Sequence, residues 1–139
     1  MEITANAIQT VTASNNVLFT ATPIPGNCSI IHREGSGLVT LRGLTQQCRA
    51  RFRVSFNGNI AVPTGQTVGP ISLAIAAGGE PIASNIMTAT PAAVEQYFNI
   101  SSIVFIDVPA GCCAQISIQN DSTISVNIQN ANLIVERVA

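Results

Sequence analysis

From Arg49 to Phe56 the chain alternates strictly. Arg49, Arg51, Arg53 and Ser55 are polar, and Ala50, Phe52, Val54 and Phe56 are apolar. A period of two sends successive side chains to opposite faces of an extended strand, so one face of this segment meets a core. The same period recurs at Ile71, Leu73 and Ile75, at Ile116 and Ile118, and at Ile124, Val126 and Ile128. Further strands are expected at Asn16–Thr22, Ile30–Arg33, Leu38–Arg42, Val94–Ile100 and Ile103–Val108. A last one, Asn132–Val138, is apolar evenly enough to be covered on both faces. The turn signals between them are Pro23-Ile24-Pro25-Gly26, Glu34-Gly35-Ser36-Gly37, Asn57-Gly58, Gly78-Gly79 and Pro109-Ala110-Gly111. The only helical candidate is a short one, Ala92–Gln96 after Pro91. Eight to ten short strands with Gly, Pro and Asn turns make an all-β chain, a two-sheet sandwich or a barrel.

Composition says how such a sandwich meets its surroundings. The chain of 139 residues has six arginines, no lysine and seven acids, so only 9% of it is charged. An ordinary soluble domain carries about 25%. Ser, Thr, Asn and Gln fill the polar positions instead, and a surface so poor in charge suits contact with copies of itself. The net charge of −1 offers no attraction for nucleic acid or an anionic bilayer. The longest apolar stretch, Ile71 to Ala77, is broken by Ser72 and falls far short of the roughly 20 residues of a spanning helix. The opening MEITANAIQT has an acid where a signal peptide is basic, and no apolar core follows. Synthesis without a signal peptide is therefore expected.

The residues that could carry chemistry are few and scattered. His32 is the only histidine, and no nucleophile-elbow glycine pattern surrounds any serine, so no catalytic residue is assigned. The acids form no pair at glycosidase or metal spacing, and the cysteines lack C-x-x-C spacing, so no metal or cofactor is expected. Cys28, Cys48, Cys112 and Cys113 read as small, partly buried hydrophobes. A Cys28–Cys48 disulfide, or an inter-subunit bridge through the vicinal pair, is the alternative. The one concentration of charge is Arg49, Arg51 and Arg53, three guanidinium groups about 7 Å apart along one strand face. They could track single-stranded nucleic acid, but Phe52 and Phe56 point to the opposite face and cannot stack bases beside them. Pairing with carboxylates of a neighbouring subunit, or a plain solvated face, are the other readings.

Three segments resemble the TNF/C1q-like jelly-roll family, in particular the C-terminal domain of exosporium collagen-like proteins. They are ISLAIAAGGEPI (Ile71 to Ile82), VFIDVPAGCCAQISIQN (Val104 to Asn120) and NANLIVERVA (Asn130 to Ala139). The likeness extends from about Val17 onward, and short proteins of this kind are also similar to prophage-encoded ones of gut Firmicutes. It implies a double sheet of about ten strands filling residues 16–139. Residues 1–15 would form an N-terminal arm or first strand able to act as a tether. It also implies a homotrimer with one sheet of each subunit around the three-fold axis. Candidates for that interface are Phe52, Val54 and Phe56 with the arginine row, Tyr97 and Phe98, and Leu133 and Val135 in the segment to Val138. The family's usual Ala-Gly-Asp is Ala110-Gly111-Cys112 here, so no role of that acid carries over, nor does a cytokine-like receptor function.

The expected role is structural: a trimer on a virion surface, as the capsid decoration or head fibre of a phage, with the capsid or another surface lattice as partner. The alternative is a receptor- or carbohydrate-binding tip of a tail fibre, or an adhesin of a spore or cell surface.

Overall fold

The computed structural model describes residues 1–139, which form eleven strands in two antiparallel sheets. In chain order they are β1 (Glu2–Ala5), β2 (Gln9–Val11), β3 (Ala21–Ile24), β4 (Ile30–His32), β5 (Val39–Arg42) and β6 (Arg49–Ala61). Then follow β7 (Ile71–Ala77), β8 (Glu80–Ala89), β9 (Phe98–Pro109), β10 (Cys113–Asn120) and β11 (Val126–Arg137). One sheet runs β3-β1-β11-β6-β9, with β2 also paired to β11; the other runs β4-β5-β10-β7-β8. Strands distant in sequence lie side by side, as in a jelly roll.

A single core fills the space between the sheets. It takes the even residues of β6 from Ala50 to Phe56, Ile71, Leu73 and Ile75 of β7, Ile116 and Ile118 of β10, and Leu133 and Val135 of β11. Phe19 meets Phe56 edge to face at 6.5 Å, the arrangement that aromatic quadrupoles favour. Each fully buried Phe, Leu or Ile contributes about 1.5–3 kcal/mol from apolar burial alone.

Polar residues close the gaps that apolar packing leaves. Asn120 is 1% exposed, and its amide donates to the carbonyls of Val11 and Ile124, both at 2.9 Å. It thereby ties the β10–β11 connection to β2. At the open side of the sandwich, Asn85 of β8 donates to Ser102 Oγ at 2.8 Å and to the Ile103 carbonyl at 3.0 Å on β9. That clamp joins the edge strands of the two sheets.

Several local expectations are corrected. Asn57-Gly58 is not a turn, since β6 runs straight through it, with Asn57 opposite Ser101 and Gly58 opposite Ile100. Gly58 is a glycine for want of room: a Cβ there would lie 3.2 Å from both Ile128 Cδ1 and Phe56 Cζ. By contrast, Gly78 and Gly79 both have positive φ, 62° and 84°, and make the expected tight hairpin. Phe98–Ile100 and Ile103–Val108 belong to one strand, because Ser101 and Ser102 pair with Asn57 and Phe56 without a break, and Val94–Tyr97 lies outside it. The two segments at the C-terminal end are also one strand, β11, which absorbs Asn130 (φ 53°) where its register to β6 shifts.

Ala21 and Thr22 fall in β3, but Asn16–Thr20 makes only one isolated bridge because it crosses between sheets. Val17 N–H reaches the Ile118 carbonyl on one sheet, and Thr20 N–H reaches the Thr4 carbonyl on the other. Pro23 and Ile24 lie in β3 instead of a turn. Ala92–Gln96 forms turns and bends, not a helix, with Glu95 at φ 57°. The segment Asn132–Val138 is covered on one face only, leaving Ile134 and Val138 exposed. β8 was not anticipated, and residues 1–15 supply β1 and β2.

Extended backbone at Asn57 has a measurable consequence. Asn57→Thr should change unfolding free energy by less than about 1 kcal/mol, since strands favour β-branched residues. Gly58→Val should cost about 2–3 kcal/mol through overpacking. Urea denaturation of both variants checks this; a large loss for Asn57→Thr would point back to a turn.

Candidate functional site

The outward-facing residues of β6 are Arg49, Arg51, Arg53, Ser55, Asn57 and Asn59, the complement of its core set. Register with β9, β11 and β1 sorts the outer face of the six-stranded sheet into three bands. Arg51 lies opposite Asp107, and Arg53 lies between Phe105 and Glu136. Ser55 lies between Ile103 and Ile134, and the row continues from Ile134 through Glu2 to Ile24. Asn57 lies between Ser101 and Asn132.

The first band is charged and internally paired. Arg51 grips Asp107 with two hydrogen bonds, Nε to Oδ1 at 2.8 Å and Nη2 to Oδ2 at 3.1 Å. Arg49 Nε approaches the same carboxylate at 3.1 Å. Arg53 Nε lies 2.7 Å from Glu136 Oε1 as an ion pair without hydrogen-bond alignment. The expected partners on a neighbouring subunit are thus replaced by carboxylates of the same chain. The hydrogen bond from Arg51, and then the charges of Arg51 and Arg49, hold Asp107 below the usual carboxylate range. The same contact raises Arg51.

The middle band alternates exposed apolar residues with Ser55 and Glu2. Ile24 is 56%, Ile103 56%, Phe105 59% and Ile134 37% exposed. The third band is an amide ladder: Asn99 Nδ2 donates to Asn57 Oδ1 at 2.8 Å and Asn59 Oδ1 at 3.1 Å. Nearby, Asn132 Nδ2 donates to Glu2 Oε2 at 2.7 Å. A face whose polar groups are satisfied by one another around an exposed apolar strip has the character of a contact surface.

Only part of the expected interface lies here. Arg49, Arg51 and Arg53 do. Phe52, Val54, Phe56, Leu133 and Val135 are at most 1% exposed inside the sandwich, because they have the opposite strand parity; they cannot touch a partner. Phe98 lies opposite Ile60 near the other end of β6, and Tyr97 precedes it, its O–H reaching Glu95 Oε2 at 3.4 Å. Burial, and next the Glu95 charge, raise the Tyr97 phenol. The residues missed are Ile24, Ile103, Phe105 and Ile134. A signal for two of them is present in Ile103-Val104-Phe105-Ile106, where both parities are apolar.

Cys28, Cys48, Cys112 and Cys113 are exposed, free thiols in this structure, which corrects the partly buried reading. His32 lies edge-on to Phe19 at 6.4 Å, with Nε2 3.0 Å from the Ser36 carbonyl oxygen, a packing role. No three His, Cys, Asp or Glu residues converge as metal ligands. No helix is long and apolar enough to cross a membrane.

The Asp107 pairing has a pH signature. A depressed carboxyl contributes stability that is complete above its unfolded value, about 3.9, and is lost as pH falls through the lower folded value. An NMR titration should place the Asp107 midpoint below the ordinary range, and Arg51→Gln should move it back up. A midpoint unmoved by that change contradicts the pairing.

No family model matches the chain, and no curated protein matches it. Among solved structures, it is similar to the globular domain of zebrafish complement 1qA protein. That likeness has a TM-score of 0.63 and 10% identity over 96% of this chain and 93% of the other. A CBM35 from Cellvibrio japonicus aligns over 100% of this chain and 99% of its own, at 10% identity and a TM-score of 0.39. The CBM22-1 xylan-binding domain from Paenibacillus barcinonensis Xyn10C gives 7% identity, 99% and 87% coverage and a TM-score of 0.37. With the sheet orders above, the first of these shows the fold: an all-β, two-sheet sandwich of the C1q jelly-roll type.

Proposed function

We propose that the chain is a non-catalytic assembly and display module that works as a homotrimer, its copies meeting on the outer face of the six-stranded sheet. One observation carries this reading: the exposed apolar row Ile24, Ile134 and Ile103, with Phe105 one step along β9. Water is a poor neighbour for that strip, and covering it gains about 25 cal/mol per Å² of apolar surface removed. Of the charges at the strip, Arg53 already holds Glu136 and Glu2 accepts a hydrogen bond from Asn132, so a subunit laid over it meets charges that have partners.

The family resemblance supports a place for this trimer on a phage particle, as capsid decoration or head fibre. A second reading is a receptor- or carbohydrate-binding tip, or an adhesin of a spore or cell surface. It is favoured by an open cleft of about 330 Å³ beside β2, whose lining includes Thr10, Thr12, Asn15, Asn16 and Leu18. Hydroxyl and amide groups there offer donors and acceptors that suit sugar hydroxyls.

Sedimentation at micromolar concentration should give three times the chain mass, and Ile103→Glu with Phe105→Glu should reduce it to one with the fold intact by circular dichroism. A stable wild-type monomer overturns the trimer. Mass spectrometry of purified particles tests the virion reading, and glycan-array binding by material absent from particles would favour the second.

A further inference from the structure

A cluster of reactive side chains sits at the far end of β6 from the arginine row. Thr10 of β2 and Asn127 of β11 are direct register partners, and Asn127 pairs on its other side with Ala61, the last residue of β6. Thr10 is exposed, whereas Asn127 keeps only 8% of its surface. The segment carrying Glu95 and Tyr97 lies against it, tied down where the Glu95 N–H donates to the Val62 carbonyl at 2.9 Å. Glu95 holds φ at 57°, a left-handed backbone that residues other than glycine seldom adopt. Such strain persists only where surrounding contacts over-determine it. Here Glu95 Oε1 accepts from Thr64 N–H at 3.1 Å, Thr64 Oγ1 at 3.2 Å and Asn127 Nδ2 at 3.1 Å. Oε2 accepts from Tyr97 O–H at 3.4 Å. A strained backbone thus aims one carboxylate at one buried amide.

That amide is gripped at both ends. A carboxylate only accepts, so the end facing Glu95 is Nδ2. Oδ1 is left to take the Thr10 hydroxyl, at 2.6 Å from Oγ1. The carbonyl carbon lies one C=O bond beyond Oδ1, which puts Oγ1 roughly 3–4 Å from Cγ. Reacting atoms held about 3–3.5 Å apart gain the large advantage of an intramolecular reaction. The Tyr97 phenol, raised by burial and then by the Glu95 charge, keeps its proton at neutral pH and can pass it through the carboxylate. A nucleophile, an acyl group and a proton donor at the leaving nitrogen therefore meet in one place.

We propose that Thr10 and Asn127 form an intramolecular ester that ties the second strand to the last, with Glu95 and Tyr97 as the proton-transfer pair. Thr10 Oγ1 attacks Asn127 Cγ and gives its proton to solvent. The C=O electron pair moves to Oδ1 and returns as the bond from Cγ to Nδ2 breaks. Nδ2 leaves with that bond's electrons, takes a proton through Glu95 from Tyr97 and departs as ammonia. Tyr97 regains a proton from solvent. One hydroxyl and one amide become one ester and one ammonia, with no change of oxidation state. The bond closes residues 10 to 127 into a covalent loop, which restricts the unfolded chain as any cross-link does. Tension between the two ends of the chain then passes through the ester instead of peeling β2 from β11. The chemistry needs one copy of the chain, so it stands apart from the trimer.

The test is the intact mass of the full chain, purified and kept folded at neutral pH for several days. That mass should be short by one ammonia, and tandem spectra of a digest should show the Thr10 and Asn127 peptides joined. Hydroxylamine should split the joined species. Thr10→Val, which keeps the side-chain shape, should retain full mass, whereas Thr10→Ser should still close the link. Glu95→Gln should slow closure about a hundredfold. Circular dichroism checks that each variant is folded. Full mass in folded wild-type protein overturns the proposal. So does an ammonia loss that persists in Thr10→Val or that maps to a cyclic imide at Asn57-Gly58 with no joined peptides. An undiminished rate in Glu95→Gln overturns the role given to the carboxylate.

Discussion

The close approach of β6 to the residues packed over it, at Gly58, is the constraint on which the rest of the structure depends. Thirteen residues from Arg49 to Ala61 stay extended, passing through Gly58, where a Cβ would crowd the side-chain tips of Ile128 and Phe56. An unbroken β6 then offers twelve consecutive register partners to β9 and a long template to β11. Those pairings place Asp107 against Arg51 and Ile103 against Ser55. The core and the three-banded outer face are two sides of one backbone decision.

The alternation at Arg49–Phe56 was legible because a strand with one buried face writes its period directly into the residue types. The all-β class and the tight hairpin at Gly78-Gly79 followed from equally local signals. Asn57-Gly58 was misread for a physical reason: a turn and a glycine-relieved contact use the same dipeptide, and only the packing of Phe56 and of Ile128 on β11 distinguishes them. Asn130 is a similar case, a left-handed residue that bends a strand without ending it. β8 carries Ser84 and Asn85 in its middle, and the Asn85 amide finds its acceptors on the other sheet. Nothing local to β8 announces that pairing.

The candidate site was half legible, and the missing half is instructive. Choosing apolar residues on the β6 and β11 strands selected Phe52, Val54, Phe56, Leu133 and Val135, which are core for the very reason that they are apolar and in phase. A contact surface is written in the opposite phase, where an apolar residue is out of place among polar ones, as Ile134 and Phe105 are. The arginine row was found because arginine occupies that phase. Its carboxylates, on β9 and β11, required knowing which strands flank β6. The nearness of the Cys28, Cys48 and Cys112 loops, and of Cys113 at the start of β10, to the arginine-bearing strand ends belongs wholly to the topology.

The amide clamp from Asn85 bears on how the chain survives as a concentrated protein. β9 is the outermost strand of its sheet, twelve residues long, and apolar on both parities through Ile103 and Ile106. Such an edge is a template for endless strand addition, the first step toward fibrils. The Asn85 side chain occupies the Ile103 carbonyl that an incoming strand would seek, and it ties the edge back toward β8. One buried amide thus blunts the long edge of this sheet at its most apolar point, while the opposite edge, β3, offers only four residues to an incoming strand.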